Sequence, residues 1–155
     1  MSKWPDLAGR IEGETHILPI RVYYEDTDFS GVVYHASYLR FMERGRTNYL
    51  RLLGADQRAL FEEVAKEAPG FAFVVRSMTI DFRKPARMDD VLEIMTVPLE
   101  VKGASIVLHQ RVTRDDELLV EATVQVAFVS DGRAKPIPKA LRTAMKAGQA
   151  LAGGD

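Results

Sequence analysis

The sequence predicts an α+β domain in which one long helix lies against a face of an antiparallel sheet. Three observations carry that reading. Over residues 36–53, Tyr38, Phe41, Met42, Tyr49 and Leu52 recur at three- and four-residue steps, while Arg40, Glu43, Arg44, Thr47, Asn48 and Arg51 fill the other face. From Phe71 to Ser130 the apolar period changes to two, the alternation of half-buried strands. Turn signals cut that stretch into a meander, at residues 84–90, Lys102-Gly103, Asp115-Asp116-Glu117 and Asp131-Gly132.

Residues 1–15 are polar and read as a flexible, irregular tail, with residues 16–135 as one domain and residues 136–155 as a C-terminal tail. Residues 17–25 form a strand with Ile20, Val22 and Tyr24 on one face and Arg21 and Tyr23 on the other. An acidic turn and the main helix follow, with Gly45 inside the apolar stripe. There a glycine costs roughly 1 kcal/mol against alanine, and the compensating gain is close approach of helix and sheet. Gly54 is the expected helix stop. A weaker helical pattern over 57–68, through Leu60, Phe61 and Val64, ends at Pro69-Gly70. The strand over 71–83 begins apolar and then alternates, Met78, Ile80 and Phe82 against Ser77, Thr79, Asp81 and Arg83. In the strand over 91–101, Pro98 marks an edge or a bulge, because proline gives no hydrogen to a ladder. Strands over 105–114 and 118–130 complete the meander, the last with Leu118, Val120, Ala122, Val124, Val126 and Phe128 facing inward. A short helix is expected over 140–151.

Composition narrows the function. The 155 residues suit one domain, and 46% hydrophobic and 28% charged residues fit an ordinary globular protein. A formal net charge of −1 provides no basic field for nucleic acid. With no cysteine there is no disulfide, thiol nucleophile or cysteine-ligated metal. No signal-peptide core and no membrane-length apolar run is present, so the expected location is cytoplasmic, with envelope biology reached only through a partner.

The chemistry concentrates in residues 23–35. Asp28 stands in the turn between strand and helix, three residues before Gly31, where a backbone can approach a ligand. A carboxylate there serves as a general base or a nucleophile, or merely as a turn and capping residue. Glu25 and Asp26 lack the oxygen-ligand spacing of a calcium loop and read as a solvated acidic turn. His35 opens the helix. Its main-chain N–H, with that of Val33 or Tyr34, is placed to stabilise a developing oxyanion, and its imidazole to orient water or substrate. His16, before the first strand, and His109, within a later one, read as structural or exposed. Arg83, Lys84 and Arg87 cluster around Pro85, as a phosphate clamp or as surface charge. No glycine-rich phosphate loop, serine elbow or H-E-x-x-H is present.

The run Tyr23-Tyr24-Glu25-Asp26-Thr27-Asp28-x-x-Gly31-Val32-Val33-Tyr34-His35, continuing through Tyr38-Leu39, Met42-Glu43, Arg46-Thr47, Phe73-Val74-Val75-Arg76 and Pro85-Ala86-Arg87-x-Asp89-Asp90, resembles the signature of hotdog-fold acyl-CoA thioesterases. It is most similar to the Tol–Pal-associated acyl-CoA thioesterases, with 4-hydroxybenzoyl-CoA thioesterases as near relatives, and covers roughly residues 17–130. The resemblance implies a sheet wrapped around the helix and hydrolysis of short-chain, or else aromatic, acyl-CoA. It puts Asp28 at the catalytic aspartate, with His35 and Tyr24 in the site. Gly31, Val33 and Tyr34 then lie beside the thioester, and Arg83, Lys84 and Arg87 at the nucleotide end. Tyr34, Tyr38, Phe29, Phe71 and Phe73 are candidates for the acyl pocket. Glu43 reads as a partner of a nearby arginine. It further implies no cofactor and no metal, and a homodimer or homotetramer with sites at its interface. An acyl carrier protein or an envelope-associated complex is a possible further partner. A non-catalytic acyl-CoA-binding or scaffold domain on the same fold is the alternative function.

Overall fold

The computed structural model describes residues 7–153, which form a curved seven-stranded antiparallel sheet and three helices. In chain order these are β1 (Arg10–Glu12), β2 (Thr15–Arg21), α1 (His35–Asp56), α2 (Arg58–Glu67), β3 (Ala72–Phe82), β4 (Val91–Val101), β5 (Ser105–Arg114), β6 (Glu117–Ser130), β7 (Arg133–Ala134) and α3 (Lys139–Gly153). The sheet order is β1-β2-β4-β5-β6-β3, with β7 added to β6. Every pairing is antiparallel, so tight hairpins suffice for the meander β4-β5-β6, while β3 reaches the far edge by pairing with β6.

Helix α1 buries Tyr38, Phe41, Met42 and Tyr49 against the inward residues Leu92, Ile94, Val112, Val120, Val124 and Phe128, all in one apolar cluster. Gly45 sets the depth of this contact. A Cβ there would lie 2.8 Å from Ile94 Cγ2 and 3.2 Å from both Gln110 Nε2 and Thr96 Oγ1. Below it sits a polar knot in an apolar layer. Gln110, fully buried, donates its Nε2 hydrogens to the Met42 carbonyl and to Thr96 Oγ1, and its Oε1 accepts from Arg46 Nη1 at 2.9 Å. Both amide hydrogens and the amide oxygen are thereby engaged, which fixes the register of helix on sheet. Burial lowers the Arg46 pKa from its ordinary value, against the opposing charge of Glu43.

Four expectations need correction. The helix does not stop at Gly54 but runs to Asp56, and Gly54 instead leaves room for the Phe61 ring of α2, 3.2 Å from where its Cβ would be. Residues 10–12 of the expected tail pair with β2 as an edge strand, while residues 1–6 lie outside the described residues. His16 lies within β2, not before it, and is fully buried, with its Nε2 2.7 Å from the Ala8 carbonyl oxygen and its ring 6.2 Å from that of Tyr49. Burial, then the charge of Glu14, pushes the Tyr49 hydroxyl up to about 12. Tyr24 leaves the strand alternation altogether, as described below.

Pro98 behaves as expected. The β2 ladder on β4 ends at the His16–Thr96 pair, so Pro98 needs no hydrogen on that side, and the β4–β5 register shifts between Pro98 and Glu100. The C-terminal helix is present, and its Leu141 and Met145 are buried.

Gly45 provides the first test. Alanine there gains about 1 kcal/mol of helix propensity but drives a methyl group into the branched Ile94 side chain, and overpacking costs about 1–3 kcal/mol. Gly45→Ala is therefore expected to lower the denaturant midpoint, and a raised midpoint would contradict this packing.

Candidate active site

The end of β2 is tied to the turn over residues 83–90, with Val22 N–H donating to Asp90 O at 2.9 Å and Asp89 N–H to Val22 O at 2.8 Å. The chain then makes one 3-10 turn, Tyr24–Asp26. Asp26 is 6% exposed, so it is not part of a solvated acidic turn. Its Oδ2 accepts the Tyr23 N–H at 2.9 Å, while its carbonyl accepts the Tyr34 N–H at 2.9 Å and the Ser37 hydroxyl at 3.1 Å. The 3-10 turn also rotates Tyr24 out of the core. At 81% exposure its ring does not pack with Ile20 and Val22.

Residues 27–33 form a small hairpin through a Thr27–Val33 bridge, with Asp28-Phe29-Ser30-Gly31 at its tip. Asp28 N–H donates to Val32 O at 2.9 Å, and Gly31 N–H to Asp28 O at 3.0 Å. Gly31 holds φ at 82°, which favours glycine. The Asp28 side chain does serve the turn, since its Oδ1 accepts the Ser30 N–H at 2.8 Å. The residue is exposed, and its Oδ2 has no partner among the described residues. Tyr24, Asp28, Phe29, Gly31 and Met88 border an open hollow of about 620 Å³.

At the start of α1, Val33 N–H is taken by Ala86 O at 2.8 Å and Tyr34 N–H by Asp26 O. Neither is therefore available to an oxyanion, a correction to the expected donor pair. The first-turn N–H groups of His35 and Ala36 remain, without acceptors among the described residues. Ala86 is held on both sides, because its N–H donates to the buried Tyr38 hydroxyl at 3.0 Å. Burial raises the Tyr38 pKa. The His35 ring packs on Tyr34 at 4.4 Å and edge-on to Phe82 at 6.2 Å, beside a hollow of about 230 Å³ shared with Arg83, Lys84 and Pro85. Asp28 and His35 thus line different hollows within one chain.

Of the three expected phosphate ligands, two are already paired: Arg83 with Glu121 at 3.0 Å and Lys84 with Glu117 at 2.7 Å. Arg87 has no ion pair among the described residues. It meets Asp90 through its main-chain N–H, at 2.8 Å, while the Asp90 carboxylate pairs with Arg114 at 2.8 Å. His109 packs against Glu121 at 2.9 Å, as a structural residue.

A chamber of about 120 Å³ lies farther along the seam between α1 and β3. Exposed Glu43, Thr47 and Val75 form its mouth, and buried Tyr49, Ile106, Leu108, Val126 and Met145 its floor. Phe73 lines it, whereas Phe71 stacks on Phe128 at 5.5 Å. Glu43 accepts the Thr47 hydroxyl at 2.8 Å, not an arginine hydrogen bond. Sequence reasoning missed the Gln110 knot, although a glutamine between Leu108 and Val112 on an inward face was a signal. It also missed the Asp26 bracket, whose signal is an acid three residues after Tyr23.

A long central helix wrapped by this sheet is the hotdog arrangement, and the chain belongs to the thioesterase-like superfamily, whose model matches residues 22–145. It is 49% identical to the acyl-CoA thioesterase YbgC of Haemophilus influenzae, over 81% of this chain and 90% of that protein. The acyl-CoA thioester hydrolase YbgC of Escherichia coli O6:H1 is 48% identical, over 79% of this chain and 90% of its own. Among solved structures, a probable thioesterase from Bartonella henselae superposes with a TM-score of 0.68 at 38% identity, covering 81% of this chain and 99% of that one.

The turn that holds Ala86 should respond to acid. Partial burial works against the Asp90 charge, but the Arg87 N–H and the Arg114 guanidinium outweigh it and hold that carboxyl below its usual range. Lys84 and then Arg114 lower Glu117 likewise. Depressed folded values mean stability that is complete above the ordinary carboxylate range, about pH 4, and lost as pH falls through the lower folded values. The melting temperature should therefore fall below about pH 4, and fall less in Arg114→Met. An identical acid slope in that variant would contradict the assignment.

Proposed function

We propose that this protein hydrolyses short-chain acyl-CoA thioesters, with Asp28 as general base or nucleophile and the His35 and Ala36 N–H groups as oxyanion donors. The protein is an enzyme, an acyl-CoA thioesterase that releases a free acid and coenzyme A. The observation that carries the assignment to Asp28 is its divided carboxylate. Oδ1 is anchored by the Ser30 N–H, which orients the group, while Oδ2 stays free at the rim of an open hollow. That oxygen either takes a proton from water as the water attacks the carbonyl carbon, or attacks the carbon itself. In both routes negative charge develops on the thioester oxygen and the thiolate departs; in the second, water then hydrolyses the acyl–Asp28 anhydride to release the acid and restore the carboxylate. Donors at a helix start, aided by the dipole, stabilise that charge without reorganising. Tyr24 lines the same hollow with its ring in solvent, placed to meet a ligand. Because Arg83 and Lys84 are neutralised by Glu121 and Glu117, Arg87 is the cation of that turn best placed for coenzyme A phosphate.

The acyl group belongs in the apolar chamber, and the chamber belongs to the partner's loop. β3 is an 11-residue edge strand with one side unpaired and Val74, Val75 and Phe82 exposed at 50%, 43% and 49%. Such an edge calls for cover. Antiparallel pairing with a second copy, about a two-fold axis near Ser77, sets the Phe82 end of one β3 against the Phe73 end of the other. His35 packs on Phe82, so the helix start and catalytic loop of one protomer travel to the chamber mouth of its partner. The site is thus a property of the homodimer. A cavity of ~150 Å³ lined by aliphatic and aromatic side chains holds a benzene ring. At about 120 Å³, the chamber matches an acyl group of a few carbons.

Asp28→Asn keeps size and the Ser30 hydrogen bond but removes basicity and nucleophilicity. Release of free thiol from a panel of acyl-CoA substrates should show kcat lowered at least ~10²-fold, with the oligomer and melting temperature near wild type. Retention of more than a tenth of wild-type kcat would sink the role given to Asp28.

A further inference from the structure

Three parts of the chain build the buried lining of the chamber, the first being Tyr49 of α1. Ile106, Leu108 and Val126 come from the central strands β5 and β6, where each side chain is fixed by its neighbours in the ladder. Met145 comes from α3, an element appended after the sheet is complete. This helix is seated independently of the chamber. The Ile137 N–H donates to Gly103 O at 2.7 Å at the β4–β5 hairpin, and Ile137 and Leu141 are buried at 2% and 0% exposure. Met145, at 2% exposure, is the next inward residue of α3 after Leu141, one helical turn on. Among the non-aromatic floor residues it alone is unbranched, with three rotatable bonds that let it fill irregular space.

On the reading that the chamber receives the acyl group, we infer that Met145 sets the acyl-chain length the enzyme accepts. The exposure gradient gives the direction. The chain enters between Glu43, Thr47 and Val75, which are exposed, and its end arrives among residues that are buried. There Ile106, Leu108 and Val126 are branched and packed between their ladder neighbours, whereas Met145 is unbranched and stands on a helix outside the sheet. Arg46 also lines the chamber, but its guanidinium is tied to Gln110 Oε1 at 2.9 Å, so it is not free to change length with the occupant. Chain length is therefore controlled from an element that carries none of the proposed chemistry.

The test is kcat/KM on straight-chain acyl-CoAs from acetyl to dodecanoyl, for the full chain and for Met145→Ala and Met145→Phe. Shortening Met145 should move the preferred chain about two carbons longer, with about a four-fold gain per methylene newly accommodated. The ratio of kcat/KM on long chains to that on the shortest ones should therefore rise. Met145→Phe should move the preference shorter. A purely structural Met145 would lower kcat/KM by one factor on every chain length, and an unchanged long-to-short ratio in both variants overturns the inference. If Met145→Ala fails to fold, Met145→Phe decides: a shortened optimum supports the assignment and an unmoved one removes it. Wild-type protein without activity on any acyl-CoA would remove the thioesterase reading and this inference together, so the two failures look different.

Discussion

The candidate site depends on one buried acid in the turn before α1. Asp26 brings a carboxylate to 6% exposure, which is costly unless its oxygens find hydrogens. The Tyr23 N–H supplies one to the side chain, while the carbonyl of the same residue gathers the Tyr34 N–H and the Ser37 hydroxyl. One residue thereby clamps the end of β2, the 3-10 turn and the first turn of α1. Two residues later the chain is exposed, and Asp28 keeps one carboxylate oxygen without a partner among the described residues. Ala86, held by Val33 and Tyr38, fastens the turn over 83–90 to the same point.

A second constraint acts at the other end of the seam. Gly45 lets α1 sink onto Ile94, and Gln110 then reads the helix backbone at Met42 and draws Arg46 inward. The depth of the helix determines the space left between α1, β3 and the sheet, which is the chamber. Rigid support below and a replaceable cap from α3 are consistent with a shared catalytic apparatus serving acyl groups of different length.

Much of the fold was legible because it rests on period. The apolar stripe of α1, the alternation of β3 to β6 and the bulge at Pro98 follow from patterns local to a few residues. Gly45 was legible as a cost that only close packing could offset. What the sequence hid is where local patterns compete. Tyr24 continues the alternation of β2 in sequence, but a 3-10 turn has begun, and the residue faces solvent. Asp26 and Asp28 look alike in an acidic run, yet one is buried and the other exposed, because only the first meets the N–H of its own turn start. Val33 and Tyr34 have the right place for oxyanion donors, and lose their hydrogens to Ala86 and Asp26, which no spacing reveals. Arg83 and Lys84 look free until β6 brings Glu121 and Glu117 beside them.

The central claim is that Asp28 of one protomer acts on an acyl group held in the chamber of its partner. It is tested most directly by subunit complementation. Asp28→Asn protein and a variant with a blocked chamber mouth, Thr47→Trp, each inactive alone, are mixed, dissociated and reassociated in equal amounts. If the two halves of the site come from different protomers, each mixed dimer regains one intact site, and the mixture recovers about a quarter of wild-type activity. If both halves belong to one chain, every site in the mixed dimer carries a lesion, and a mixture as inactive as its components would contradict the composite site.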